Sequence, residues 1–306
     1  MSNAQNDTPK PPETRPSHYL QWARRGKPGF FRYLAGALLA LVISLFVGQI
    51  FSVVGAVLIA SQSVAATIVK TTFFGFIVSF MLIPLLPMLL NRRPWWSIAM
   101  PARRIETTNL VIGVCVAVVT MVLLNFIAFL LKPDAYRFAG LDPGSWIPML
   151  LIVAVAFFVQ ASTEEMVYRG YLAQFVAAFT RSPPLILAIP AFVFALPHFG
   201  NVAGSSGFPG LLPYVVMGLM YGLLAYRSGS LWMSVGVHLG NNWFITMFVG
   251  NASENIPKVS LFTTHGSASA LELVLSVVIQ GFAVICLAEV IMRKKRLTRS
   301  QALDGN

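Results

Sequence analysis

The sequence predicts an all-α polytopic membrane protein with about eight transmembrane helices and both termini in the cytosol. Composition is the first reason: of 306 residues, 56% are hydrophobic and only 11% charged, with a mean hydropathy of +0.71, far from the balance of a soluble domain. The second is the recurrence of charge-free runs, at 33–69, 71–91, 107–131, 143–163, 182–226 apart from the neutral His198, 228–253 and 273–288. Several exceed the roughly 20 residues that a spanning helix needs. The third is the distribution of the 22 basic residues. Counted over alternate loops, seventeen fall on one side, in residues 1–32, 92–104, 181, 227 and 293–299, while the opposite loops hold only Lys70, Lys132, Arg137 and Lys258. The positive-inside rule assigns the rich side to the cytosol. The net charge of +11 is then mostly topology signal, suited to an anionic leaflet, and requires no nucleic-acid partner.

Residues 1–29 are polar and carry five prolines and both charge signs, which predicts a disordered cytosolic tail. The transmembrane domain spans 30–292, with helices expected over 31–61, 71–91, 108–131, 146–168, 184–199, 211–226, 231–249 and 270–292. Residues 170–179 either continue the fourth helix or lie along the interface until Pro183-Pro184 breaks it. The pair Trp95-Trp96 beside Arg92-Arg93 reads as an interfacial anchor. Residues 293–306 read as a basic cytosolic tail. Cys115 and Cys286 sit in apolar runs without metal or redox spacing, which predicts a packing role.

The chemistry is concentrated in three units. In 162-STEEMVYRG-170, Glu164 and Glu165 end a long apolar run. An ionised group inside a spanning helix costs roughly 2.5–3.5 kcal/mol on insertion scales, so it is kept where it is paired, wet or useful. Helical spacing lets Glu165 reach Arg169 at i+4, leaving Glu164 on a neighbouring face with Tyr168 as its own i+4 partner. The bland alternative is a structural clamp with Arg169 snorkelling to the headgroups. In 194-FALPH-198, Phe194 and His198 share a helix face, and Pro197 leaves the Val193 carbonyl without its amide donor. In 238-HLGNN-242, His238 and Asn242 lie one turn apart and can both donate to one oxygen. Each histidine alone is more often a satisfied polar residue than a catalyst. His18 and His265 lie outside these units, and Glu272 and Glu289 lie toward the two ends of the final helix, where interfacial exposure explains them.

The ordered motifs EExxxR, FxxxH and HxxxN, at Glu164, Glu165 and Arg169, then Phe194 and His198, then His238 and Asn242, resemble the CPBP (Abi) family, related to type II CAAX prenyl endopeptidases. The resemblance covers about residues 146–250, the expected catalytic core. It implies an intramembrane protease whose substrate is a membrane-embedded or lipidated peptide or protein, a prenylated CAAX protein and a bacteriocin leader being two candidates.

A peptide bond is hydrolysed without a covalent intermediate when a base activates water and donors stabilise the oxyanion. On that scheme, which the resemblance also implies, Glu164 is the general base, His198 helps hold the water and passes a proton to the leaving amine, Glu165 with Arg169 orients the helix, and His238 with Asn242 forms the oxyanion hole. No cofactor is required. The rival is Zn²⁺ held by Glu164, His198 and His238; against it stand the lack of HExxH and of any ligand pair at i,i+4. A transporter and a non-catalytic immunity or scaffold protein are two further classes. The first would show matched polar segments in both halves, and the second would have little need for Glu164, His198, His238 and Asn242 together. The loop 200–210 follows His198 and is a connector or a cap on the non-cytosolic side. The expected location is a multi-pass protein of the bacterial inner membrane.

Overall fold

A computed structural model describes residues 18–61, 63–140, 142–199, 208–251, 259–264 and 270–304. Helices dominate, each of them on a run the hydropathy pattern picks out: α1 Phe30–Leu58, α2 Val64–Leu89, α3 Thr107–Leu131, α4 Pro143–Phe179, α5 Pro183–His198, α6 Leu212–Ser228, α7 Trp232–Met247 and α8 Ala270–Asp304. Among the described residues, five helices are long and apolar enough to cross a membrane: α1 to α4, and α8 over Leu271–Lys294. The chain is thus an all-α polytopic membrane protein. The other three, α5, α6 and α7, have 16 or 17 residues, about 24 Å at 1.5 Å per residue. They fall short of the ~30 Å of a hydrocarbon core.

The loops sort to two ends of the bundle as the basic residues predict. At one end Trp22 Nε1 donates to Pro101 O at 3.1 Å, Arg24 Nε donates to Ala177 O at 3.3 Å, Tyr19 N donates to Gly229 O at 3.3 Å and Leu231 N to Ala99 O at 2.9 Å. Arg227 there grips Glu289 with two hydrogen bonds, of 2.5 and 3.0 Å. All five basic segments therefore share one end. At the other end a small sheet, unforeseen in the sequence, joins β1 Tyr136–Phe138, β2 Val249–Asn251 and β3 Phe262–Thr264 in the order β1-β3-β2. β1 is antiparallel and β2 parallel to β3. Three residues per strand leave too short an alternation to register as a strand pattern.

Several expectations need correction. Residues 18–29 are not a disordered tail: His18–Arg24 forms a 3₁₀ helix with Tyr19, Leu20 and Ala23 buried, held to distant segments by hydrogen bonds from Tyr19, Trp22 and Arg24. Residues 1–17 and most of the 200–210 loop lie outside the described residues, as does His265. The basic C-terminal segment continues α8 to Asp304 instead of leaving the helix at 292. Lys70 sits within α2, not in a loop, and donates to Ser61 O at 2.6 Å. Cys115 and Cys286 are exposed on helix surfaces rather than packed. Glu289 is not merely an interfacial carboxylate, since Arg227 and Arg293 both pair with it.

The site-bearing helix α7 is seated by backbone approach. Its segment 236-GVHLG-240 packs on α3, where a Cβ on Gly240 would come within 2.8 Å of the Ala117 side chain and one on Gly113 within 2.9 Å of Val237 N. Small residues four apart let two helices touch along their backbones, a common arrangement in membranes. The helix carrying His238 is thereby fixed to the scaffold.

Candidate active site

Glu164 and Glu165 lie inside α4, just before a wide π-type turn over Met166–Leu172. Such a turn inserts a residue into the helical repeat and re-aims the side chains that follow, and it recurs at functional sites. Here it accompanies an arginine turned inward. Arg169 is 1% exposed, so it does not snorkel, and its Nη1 meets Glu165 Oε1 at 2.9 Å as the i+4 spacing predicts. Its Nη2 donates to Gly218 O on α6 at 3.1 Å, its guanidinium lies 4.3 Å from the Phe194 ring centre, and its own carbonyl accepts from Tyr19 Oη at 3.0 Å.

Glu165 is the hub. Fully buried, it accepts from Arg169, from His238 Nδ1 at 3.0 Å and, on its other oxygen, from Ser234 Oγ at 2.6 Å. Because a carboxylate only accepts, His238 must carry a proton on Nδ1, and the Nε2 atom becomes its working nitrogen. The imidazole is also clamped by Tyr221, stacked on it at 4.6 Å and 14°. Tyr221 Oη accepts from Asn241 Nδ2 at 3.0 Å, and Asn241 Oδ1 from Gln280 Nε2 at 2.9 Å.

Glu164 is different. Its Oε1 accepts from Gln160 Nε2 at 3.0 Å, but its Oε2 is buried with no hydrogen-bond partner and faces His238 Nε2 at 3.7 Å. Gln160 Oε1 in turn accepts from Asn242 Nδ2 at 2.9 Å. The polarity of this chain runs outward from the carboxylate: the acceptor Glu164 fixes which end of the Gln160 amide faces it, and Gln160 then fixes which end of Asn242 faces Gln160.

His198 enters from the end of α5. Its Nδ1 donates to Phe194 O at 2.9 Å, so the FxxxH spacing serves to orient the ring, and the carbonyl used is that of Phe194 rather than Val193. The imidazole stacks on Tyr214 at 4.2 Å and lies close enough to interact electrostatically with Glu164 and His238. Phe194 is the shared wall, 4.9 Å from the His198 ring and 6.1 Å from that of His238.

All six candidates, Glu164, Glu165, Arg169, His198, His238 and Asn242, thus gather in one neighbourhood. Among the described residues no group of three or more His, Cys, Asp and Glu side chains that could hold a metal ion is found. Sequence reasoning missed Gln160, Ser234 and Tyr221. The first two were findable: each stands one helical turn before a motif residue, Glu164 and His238 respectively. Tyr221, on a separate helix, gave no such sign.

Residues 145–244 match the family model described as type II CAAX prenyl endopeptidase Rce1-like. The chain is 27% identical over 182 residues to the uncharacterized protein YyaK of Bacillus subtilis strain 168, a match covering 58% of this chain and 60% of the relative's length. No solved structure matches significantly. The matched segment, residues 145–244, supplies all six candidates and contains the three ordered motifs.

Proposed function

We propose that the protein is an intramembrane endopeptidase that hydrolyses a peptide bond of a membrane-embedded or lipidated substrate, a prenylated CAAX-type protein among them, with water activated by Glu164. One observation carries this. Glu164 Oε2, buried without a hydrogen-bond partner, and His238 Nε2 face each other 3.7 Å apart, too far for a direct hydrogen bond. With His238 neutral, its Nε2 is an acceptor like the carboxylate oxygen, and a proton donor between or beside them satisfies both. A water about 2.8 Å from each sits at the apex of that triangle with both hydrogens engaged and a lone pair free to attack.

In the step that follows, Glu164 takes one proton of the water, the oxygen bonds to the scissile carbonyl carbon, and the carbonyl oxygen becomes the oxyanion. The water's second proton passes to His238 Nε2 as the adduct forms, so that this imidazolium, with Glu165 behind it, and the second amide hydrogen of Asn242, the first being given to Gln160, both donate to the oxyanion; His238 returns that proton to solvent after the products leave. Collapse of the tetrahedral species breaks the C–N bond, and the proton on Glu164 passes by way of His198 Nε2, free because Nδ1 is engaged, to the leaving amine. Arg169 and Glu165 act by position, holding one charge neutral so that the other stays available. The basic end of the bundle is the cytosolic one in a bacterial inner membrane, which a reporter fused to either terminus tests by reading as cytosolic.

A Zn²⁺-dependent protease of the same fold is the second reading, favoured by the Nδ1–carboxylate contact of His238, which resembles the support given to metal-bound histidines. Metal analysis of purified, active protein separates the two. Full activity at negligible metal content supports the metal-free scheme; stoichiometric zinc tracking activity across His198 and His238 variants rejects it.

A further inference from the structure

We propose that Arg93, Asn91 and Ser97 form an oxyanion site at the basic end of the bundle that takes a phosphate group, supplied by the headgroup of an anionic phospholipid or by free inorganic phosphate. The linker after α2 reverses at Arg92, whose φ of 52° is a left-handed conformation uncommon outside glycine. The reversal leaves Arg92 exposed and turns Arg93 inward, to 3% exposure. There, only Nη1 is satisfied, by two neutral acceptors, Trp22 O at 2.7 Å and Gln174 Oε1 at 2.9 Å. Its Nε and Nη2 have no partner, and these two atoms form one edge of the guanidinium, the planar fork that matches two oxygens of a phosphate. The guanidinium carbon lies 5.4 Å from the centre of the Tyr33 ring, and the Tyr33 hydroxyl, which donates to Ala23 O at 2.7 Å, interacts with Arg93 but, being neutral, cannot balance its charge.

Two more donors stand in the same neighbourhood. Asn91 is fully buried, and its Oδ1 accepts from Tyr171 Oη at 2.7 Å, which leaves Nδ2 as the unpartnered end of the amide. Ser97 is likewise fully buried; its carbonyl accepts from Gln174 Nε2 at 2.7 Å, while its hydroxyl has no partner. Arg93 thus has two unpartnered nitrogens, Asn91 and Ser97 contribute one unpartnered donor each, with Ser97 tied to Arg93 through Gln174, and among the described residues no Asp or Glu forms an ion pair with Arg93. Burial draws the Arg93 pKa below the usual guanidinium value. A neutral water would satisfy hydrogen bonds and leave the charge unbalanced, whereas an oxyanion does both. The setting suits a lipid phosphate, since the Trp95-Trp96 pair adjoins the site and Arg92 and Lys27 flank it.

The test needs no turnover, so it stands apart from the protease proposal. The full chain is purified and its thermal unfolding followed with added inorganic phosphate, and after reconstitution in vesicles of phosphatidylcholine alone or mixed with phosphatidylglycerol; native mass spectrometry counts retained phosphatidylglycerol. Phosphate or phosphatidylglycerol should raise the unfolding midpoint of the wild type and not that of Arg93→Gln. Should Arg93→Gln fail to fold, Ser97→Ala decides: it removes a hydroxyl with no protein partner, so the unliganded protein should be unchanged or steadier while anion binding weakens about tenfold, the worth of one hydrogen bond to a charged group. Stabilisation by phosphatidylglycerol that inorganic phosphate does not reproduce assigns the site to a lipid headgroup, and the reverse assigns it to free phosphate. Equal binding by wild type and Ser97→Ala, or no effect of either probe, overturns the proposal.

Discussion

On one side of the buried cluster, Glu165 has both oxygens engaged, by Arg169, His238 and Ser234; on the other, Glu164 has one oxygen held by Gln160 and one without a hydrogen-bond partner, 3.7 Å from His238 Nε2. Adjacent carboxylates in one helix have been given opposite surroundings. A saturated ion pair inside a membrane stabilises orientation and resists change, while an unsaturated carboxylate retains the capacity to accept a proton from something else. The difference supports the proposed division of roles: with the Arg169 charge spent on Glu165, Glu164 has no arginine of its own.

The saturated side should break first. Arg169→Met strands a fully buried carboxylate, and removal of one partner of such a pair costs about 3–5 kcal/mol; loss of folded protein on gel filtration is the expected result. On the unsaturated side Glu164→Gln preserves shape and should leave detergent-extracted protein folded, with its rate down about 10² to 10⁴, the usual contribution of a positioned general base. Asn242→Ala should lower kcat by roughly 10² to 10³ with little change in KM, as loss of an oxyanion donor does. Gln160→Met removes the amide that ties Glu164 to Asn242. It should lower kcat about tenfold, the value of a single hydrogen bond, and its effect should be less than additive with that of Asn242→Ala. Ser234→Ala, which removes one of three donors from Glu165, should show the least: about 1–2 kcal/mol of stability and a near-normal rate.

The legible parts of this molecule were those with a periodic or compositional signature. Charge-free runs located the helices, the basic residues sorted the loops to two ends, and the i+4 spacing of Glu165 and Arg169 foretold their ion pair. What the sequence concealed depends on contacts between distant segments. His18–Arg24 looked like part of a polar tail because its anchoring, through Tyr19 to the Arg169 carbonyl and Arg24 to Ala177 and Thr180, is all long-range. The Nδ1 contact of His238 with Glu165 joins α7 to α4, and nothing in HxxxN reveals which ring nitrogen is spent. The close approach of Gly236 and Gly240 on α7 to α3 at Gly113 and Ala117 likewise joins segments far apart in the chain. The three strands were too short to alternate.

The central claim, that Glu164 rather than Glu165 performs the chemistry, is tested most directly by comparing proteome cleavage ends in bacterial membranes expressing the wild-type chain with those expressing Glu164→Gln at equal levels of folded protein. The account predicts a set of new ends in the wild-type membranes that vanishes with Glu164→Gln. The same ends at the same abundance in both would contradict it.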